Sequence, residues 1–216
     1  MTSKGILGVV SGFSGAGKGT LMKGLLSKYP QYALSISATT RKPRINAATG
    51  ESEKDGEDYF FISKEEFEHM IDQDELIEYA CYQGNYYGTP RRYVEDMLAE
   101  GRDVILEIEV QGASKVKAKR PDTVLVFVTP PSAGELKVRL NKRGTETPEQ
   151  IKGRLRRATE EAEYMQAYDY VLVNDDLEES IANLHAIFRS EHSRTMRSEK
   201  RIANITAELK EMMKGE

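Results

Sequence analysis

The 216-residue chain is 39% hydrophobic and 31% charged, a globular rather than a disordered composition, long enough to bury a sizeable core. Its formal net charge of −4 argues against a general nucleic-acid binder with a broad basic face, so any phosphate site must be a local concentration of Arg and Lys. The single cysteine, Cys81, rules out an intrachain disulfide, and there is neither a bilayer-length apolar run nor a signal-peptide pattern; a cytoplasmic location without a membrane partner is expected.

The run Ile6-Leu7-Gly8-Val9-Val10 reads as a buried strand. It leads into Gly12-Phe13-Ser14-Gly15-Ala16-Gly17-Lys18-Gly19-Thr20 and then into the helical pattern Leu21, Met22, Leu25, Leu26. Strand, glycine-rich loop and helix in that order are the context of a phosphate-binding loop. Glycines at 12, 15 and 17 let backbone N–H groups converge on an anion, and the helix adds its unpaired N-terminal donors. Lys18 supplies a mobile charge for β- and γ-phosphate oxygens. A glycine-rich turn with a chance lysine is the plain alternative, disfavoured by both spacing and context. The pattern asks for Ser or Thr after the lysine as a Mg²⁺ ligand; Gly19 stands there, so the metal is held through water or by Thr20.

The first helix should end near Tyr29-Pro30, followed by a strand over Ala33 to Ser37. The next loop, through Arg44, carries Arg41 and Arg44, whose forks suit phosphate; an ordinary solvated basic loop fits equally well. Residues 45–58 read as a mobile loop and Tyr59 to Ile62 as a strand. Ser63 and Glu66 form a capping box for a helix through Phe67, Met70 and Ile71. Leu76 to Cys81 is a strand bearing Glu78 and a partly buried thiol. Gly84 to Pro90 is a tyrosine-rich turn, and the following helix stops at Gly101. Residues 35–96 thus form an inserted, mixed strand-and-helix lobe.

Val104 to Glu109 is an apolar run ending in the acids Glu107 and Glu109. In P-loop enzymes an acid there orients Mg²⁺ or its water shell; the bland reading is a buried strand meeting solvent. A helix begins at Gln111-Gly112-Ala113, with Lys115, Lys117, Lys119 and Arg120 as a solvated face, and Val124 to Val128 is a third buried strand. Strands alternating with helices imply an α/β fold whose parallel sheet is covered on both faces. Ser132 and Glu135 cap a helix carrying Arg139 and Arg143 one turn apart. After a hinge at residues 144–146, Thr147 to Gln150 restarts a helix with Arg154, Arg156 and Arg157. Arginines on both sides of a hinge suggest a lid over phosphates; a salt-bridged hairpin using Glu160, Glu161 and Glu163 is the alternative. Tyr170 to Val173 is the last strand, Leu177 to Phe188 an amphipathic helix, and Ser190 to Glu216 a helical tail. His69, His185 and His192 are scattered and show no ligand spacing.

The blocks G-x-x-G-x-G-K, S-I-S-A-T-T-R-K-P-R, D-Y-F-F, E-Y, G-N-Y-Y-G-T, L-E-I-E-V-Q-G, R-G-T-E-T and V-N-D-D resemble guanylate kinase in order and spacing, over residues 4 to about 190. The resemblance implies a three-layer αβα P-loop core (4–34, 97–131 and 158–190), a GMP-binding lobe (35–96), a lid (132–157) and a C-terminal helical tail (191–216). It implies Mg²⁺-dependent transfer of the ATP γ-phosphoryl group to GMP or dGMP, with ATP as donor and no nucleic-acid partner. By that resemblance Arg41 and Arg44, with Tyr59 and Tyr87, grip the GMP phosphate. Ser37, Glu78 and Thr89 read the guanine edge, helped by Glu109. Arg139 and Arg154 join Lys18 and Arg41 as the catalytic cations, Arg143 lies near the adenine, and Asn174 lies on the ATP side. Thr20 and Glu107 are the expected metal residues.

Chemistry agrees at Glu78, since guanine presents adjacent N1–H and N2–H donors to one carboxylate whereas adenine offers an acceptor at N1. Two positions depart from the pattern. Gly19 makes the loop look like that of adenylate kinase, and Glu109 is a methylene longer than the usual aspartate. Adenylate kinase is therefore one rival, and a guanylate-kinase-like phosphopeptide-binding module without catalysis is another. The tail can pack on its own core or on a second subunit of a homo-oligomer.

Overall fold

The structure, a computed structural model, describes residues 4–45, 50–82, 84–142 and 147–214. Its elements begin with β1 (Leu7–Gly12), α1 (Lys18–Lys28), β2 (Tyr32–Leu34), β3 (Ala38–Thr39), β4 (Phe60–Phe61) and α2 (Lys64–Asp72). There follow β5 (Leu76–Tyr82), β6 (Asn85–Pro90), α3 (Arg91–Ala99), β7 (Asp103–Glu107), α4 (Val110–Lys119) and β8 (Val124–Thr129). The chain closes with α5 (Ala133–Lys142), α6 (Pro148–Ala162), β9 (Tyr170–Val173), α7 (Leu177–His192) and α8 (Glu199–Met212).

Two sheets organise these elements. The first runs β2-β7-β1-β8-β9, and every pairing in it is parallel. Strands β1 and β8 are buried on both faces, as their unbroken apolar runs require. Leu21, Leu25, Ile181, Leu184 and Phe188 from α1 and α7 cover one face, and Val94, Leu98, Ala113 and Val116 from α3 and α4 cover the other. Contact is close where residues are small. A Cβ on Gly8 would sit 2.3 Å from the Phe188 ring, and one on Gly24 2.3 Å from Ile181. The second sheet, β4-β3-β6-β5, is mixed and packs on Phe67 of α2. Helix α2 starts at the expected Ser63–Glu66 capping box, and α6 at a second one formed by Thr147 and Gln150.

Several expectations need correction. Strand β2 spans residues 32–34 rather than 33–37; the Ser35 N–H still donates to Ile105 (2.9 Å), after which the chain crosses to the second sheet. Gly84 to Pro90 is no turn beyond Gly84 itself. Residues 85–90 are a strand, held between β3 (Thr39 opposite Tyr87) and β5 (Ala80 opposite Tyr87). Cys81 is on a strand as expected but is exposed. The cations of α4 and its C-cap form partnerships rather than a merely solvated face: Lys117 bonds the Thr123 carbonyl and Asp169, and the C-cap Arg120 bonds Glu95. Helix α7 continues to His192 because its last turn is tied down. Buried Glu191 accepts from the Tyr170 hydroxyl (2.7 Å), and His192 Nε2 lies 2.9 Å from Asp103, which also accepts from the Ile6 N–H (2.8 Å). Helix α8 lies beyond this latch and is exposed along its length.

Candidate active site

The glycine-rich loop leaves the carboxyl end of β1, where an open parallel sheet places its ligands. Gly12 has φ 144° and approaches β8 so closely that a Cβ would stand 2.0 Å from the Val128 carbonyl oxygen. Gly17, at φ 88°, is the left-handed residue that starts α1, and a Cβ there would meet the Asn174 amide at 2.6 Å. Asn174 is buried and donates to the Ala16 carbonyl (2.8 Å), so the end of β9 pins the loop from behind. Lys18 folds back, its Nζ donating to the carbonyls of Gly12 (2.8 Å) and Phe13 (3.2 Å). Gly19 faces open space. Thr20 is exposed on α1.

In front of the loop lies a cavity of about 450 Å³. It brings together, from the expected residues, Gly12, Ser14, Lys18, Ser37, Arg44, Tyr59, Glu78, Tyr87, Glu107 and Glu109. At its inner wall Glu78 is 7% exposed, and its Oε1 accepts from the Thr89 hydroxyl at 2.8 Å. Burial pushes this carboxyl upward; the Thr89 bond and then Lys115 pull the other way. Gly112 is what leaves room for it, since a Cβ there would lie 3.1 Å from Glu78 Oε2. Burial also raises Glu107, opposed by the nearby Lys18 ammonium.

Arg41 is held outside the cavity wall by a partner the sequence reading did not single out. Its guanidinium makes a two-pronged bond to Glu53 (2.8 and 3.0 Å), whose carboxylate also accepts from the Arg44 N–H at 2.7 Å. The same guanidinium lies 5.2 Å from the Tyr59 ring centre, and Tyr87 contacts it as well. One carboxylate thereby ties the Arg41 guanidinium to the Arg44 backbone.

The third wall comes from α6. Leu136 and Leu140 of α5 pack with Ala158, Ile151 and Leu155 of α6 and with Phe13 of the loop. That packing places Arg154 Nη1 at 2.6 Å from the Ser14 hydroxyl. Arg139 sits behind the loop, donating to the Asn174 carbonyl and to Glu135, each at 2.8 Å. Arg143 and the expected hinge at 144–146 lie outside the described residues. Arg157 and Glu161 line the cavity without having been chosen as site residues, as do Tyr82 and Gln111. Arg157 stands 5.7 Å from the Tyr82 ring centre and 3.8 Å from Glu109, joining α6 to the mouth of the second sheet. A signal for the helix pair was available, because Arg154, Arg157 and Glu161 are spaced three and four apart and so share one face.

A phosphate loop at the head of a parallel sheet, facing a second lobe with a buried carboxylate and an arginine-bearing helix, defines a P-loop nucleotide phosphotransferase. The family model described as guanylate kinase matches residues 4–191, and the chain belongs to that family. The guanylate kinase of Desulfitobacterium hafniense is 51% identical over 193 residues, covering 89% of this chain and 94% of that protein. That of Clostridium perfringens strain 13 is 49% identical over 195 residues, covering 90% and 88%. The crystal structure of guanylate kinase from Anaplasma phagocytophilum superposes with a TM-score of 0.70 at 36% identity, covering 91% of this chain and 90% of that one. Among the described residues no helix is long and apolar enough to cross a membrane.

Proposed function

We propose that the chain transfers the γ-phosphoryl group of ATP to GMP, giving ADP and GDP, as a cytoplasmic enzyme of purine nucleotide metabolism. The observation that carries this reading is Glu78, a buried carboxylate braced by Thr89 in the same cavity as the phosphate-loop Lys18. In the Glu78 position a guanine edge satisfies the charge with two N–H donors, whereas adenine brings an acceptor against it. Arg44, Tyr59 and Tyr87 supply donors for the acceptor phosphate at the far end of the cavity. Arg41, oriented by Glu53, adds charge beside them. On the donor side the loop N–H groups, Lys18 and Arg154 surround the position of the transferring group, and Arg139 braces the loop through Asn174. No side-chain nucleophile is required; alignment and charge neutralisation carry the reaction.

Residues 35–96 act in this reading as the GMP lobe and 132–157 as the lid. Among the described residues no group of three or more carboxylate, imidazole or thiol side chains could hold a metal by itself. A Mg²⁺ ion would therefore be carried mainly by the nucleotide phosphates, with the Glu107 carboxylate of the cavity as an oxygen acceptor for its water shell. Bound there, the ion would supply positive charge to the phosphates. An assay of ADP formation with Mg²⁺-ATP and either GMP or AMP tests the proposal. Turnover with GMP alone is expected. Turnover with AMP would assign the site to an adenylate kinase, and GMP binding without turnover would assign it to a binding module.

A further inference from the structure

Glu161 belongs to α6 and lines the cavity with about nine-tenths of its surface buried. Its Oε2 is buried and has no hydrogen-bond partner. An unpaired buried carboxylate oxygen is costly, and the cost is relieved by a partner that arrives with the ligand. The surroundings indicate what kind of partner. Burial works against the charged form of Glu161; Lys18 and, less strongly, Arg157 favour it, while Glu109 opposes it. Glu161, Glu107 and Lys18 line the same cavity, and the Lys18 ammonium is also the group that phosphate oxygens would engage. When phosphates draw on Lys18, the buried Glu161 oxygen gains from another source of positive charge and of O–H donors.

A hydrated dication supplies both. With no hydroxyl at Gly19, next to the lysine, more of such a shell would be left to water. Water ligands need acceptors behind them. We infer that Glu161 is an outer-shell acceptor for the divalent cation that accompanies the nucleotide phosphates, working with Glu107, which lines the same cavity. This rests on the Mg²⁺-dependent reading above. Glu161 is a positioning residue, acting on the phosphates through metal-bound water.

The test is calorimetric titration of a non-hydrolysable ATP analogue, with Mg²⁺ and with chelator, into the native chain and Glu161→Gln. For the variant, the gain in affinity brought by Mg²⁺ should fall about ten- to a hundredfold, the usual consequence of losing an outer-shell partner. Metal-free binding should hold or improve, because one negative charge has gone. Weakening by the same factor with and without Mg²⁺ would mark a packing role and overturn the inference. So would an undiminished Mg²⁺ gain, or a loss confined to GMP binding. If the native chain itself shows no Mg²⁺ gain, the metal reading falls and takes this inference with it. Melting temperatures monitor folding, and Glu161→Ala serves if the glutamine variant does not fold.

Discussion

Replacing Glu78 by glutamine keeps the shape of the side chain and its bond from the Thr89 hydroxyl, which now reaches the amide oxygen, but removes the charge and turns an acceptor into an N–H donor. Guanine then meets a donor where it needs an acceptor. Losing a charge-assisted pair in a buried site is worth about 2–4 kcal/mol, which is roughly thirty- to a thousandfold in kcat/KM for GMP. AMP should gain or hold, because the amide can serve its N1 acceptor, so the GMP-to-AMP ratio falls from both directions. The free protein should respond oppositely. Burial raises the Glu78 carboxyl above its ordinary value, so folding binds a proton more tightly, and stability is lost as pH rises from the ordinary range through the raised one. The glutamine variant has no such loss, and its melting temperature at neutral pH should equal or exceed that of the native chain. Steady-state assays with both acceptors, together with thermal melts, check the two halves. A GMP efficiency within twofold of native, or equal loss in KM for ATP and GMP, would refute the assignment of Glu78 to the base.

Lys18→Ala should retain a native circular dichroism spectrum and lose about 10²–10³ in kcat, as expected for removing one donor to a developing charge. Gly12→Ala should lower stability by more than about 3 kcal/mol in thermal melts, because the new Cβ meets β8 backbone at a positive φ, whereas Gly19→Ala, facing open space in α1, should leave the melting temperature equal or higher. Asp103→Ala should cost about 2–4 kcal/mol, seen as a drop of roughly 5–15 °C, since it orphans the Ile6 N–H and releases His192.

The phosphate loop, the capping boxes and the parallel strands were legible in the sequence because each is determined by neighbours a few residues away. Misreadings occurred where distant partners decide. Asn85 to Pro90 carries turn-forming residues, yet two flanking strands and the stacking of Tyr86 on Phe67 (5.1 Å) keep it extended. The Arg41–Glu53 pair depends on a chain reversal that no local pattern reveals. Arg157 and Glu161 look like ordinary charges on an exposed helix until α6 is placed against Phe13 and the cavity. The proposed guanine-reading set came from the resemblance and from donor–acceptor chemistry; the structure gathers Ser37, Glu78 and Glu109 on one cavity with Thr89 behind.

Within this domain the earliest strand in sequence, β1, is the central strand of the parallel sheet, flanked by β7 and β8, which come far later in the chain. Its outer face is closed later still, when Phe188 covers Gly8 and His192 reaches Asp103. The nucleotide loop is thus early in sequence, yet the amide that pins it from behind, Asn174, lies near the far end of the domain. A chain cut before residue 174 should carry the loop's sequence without that support.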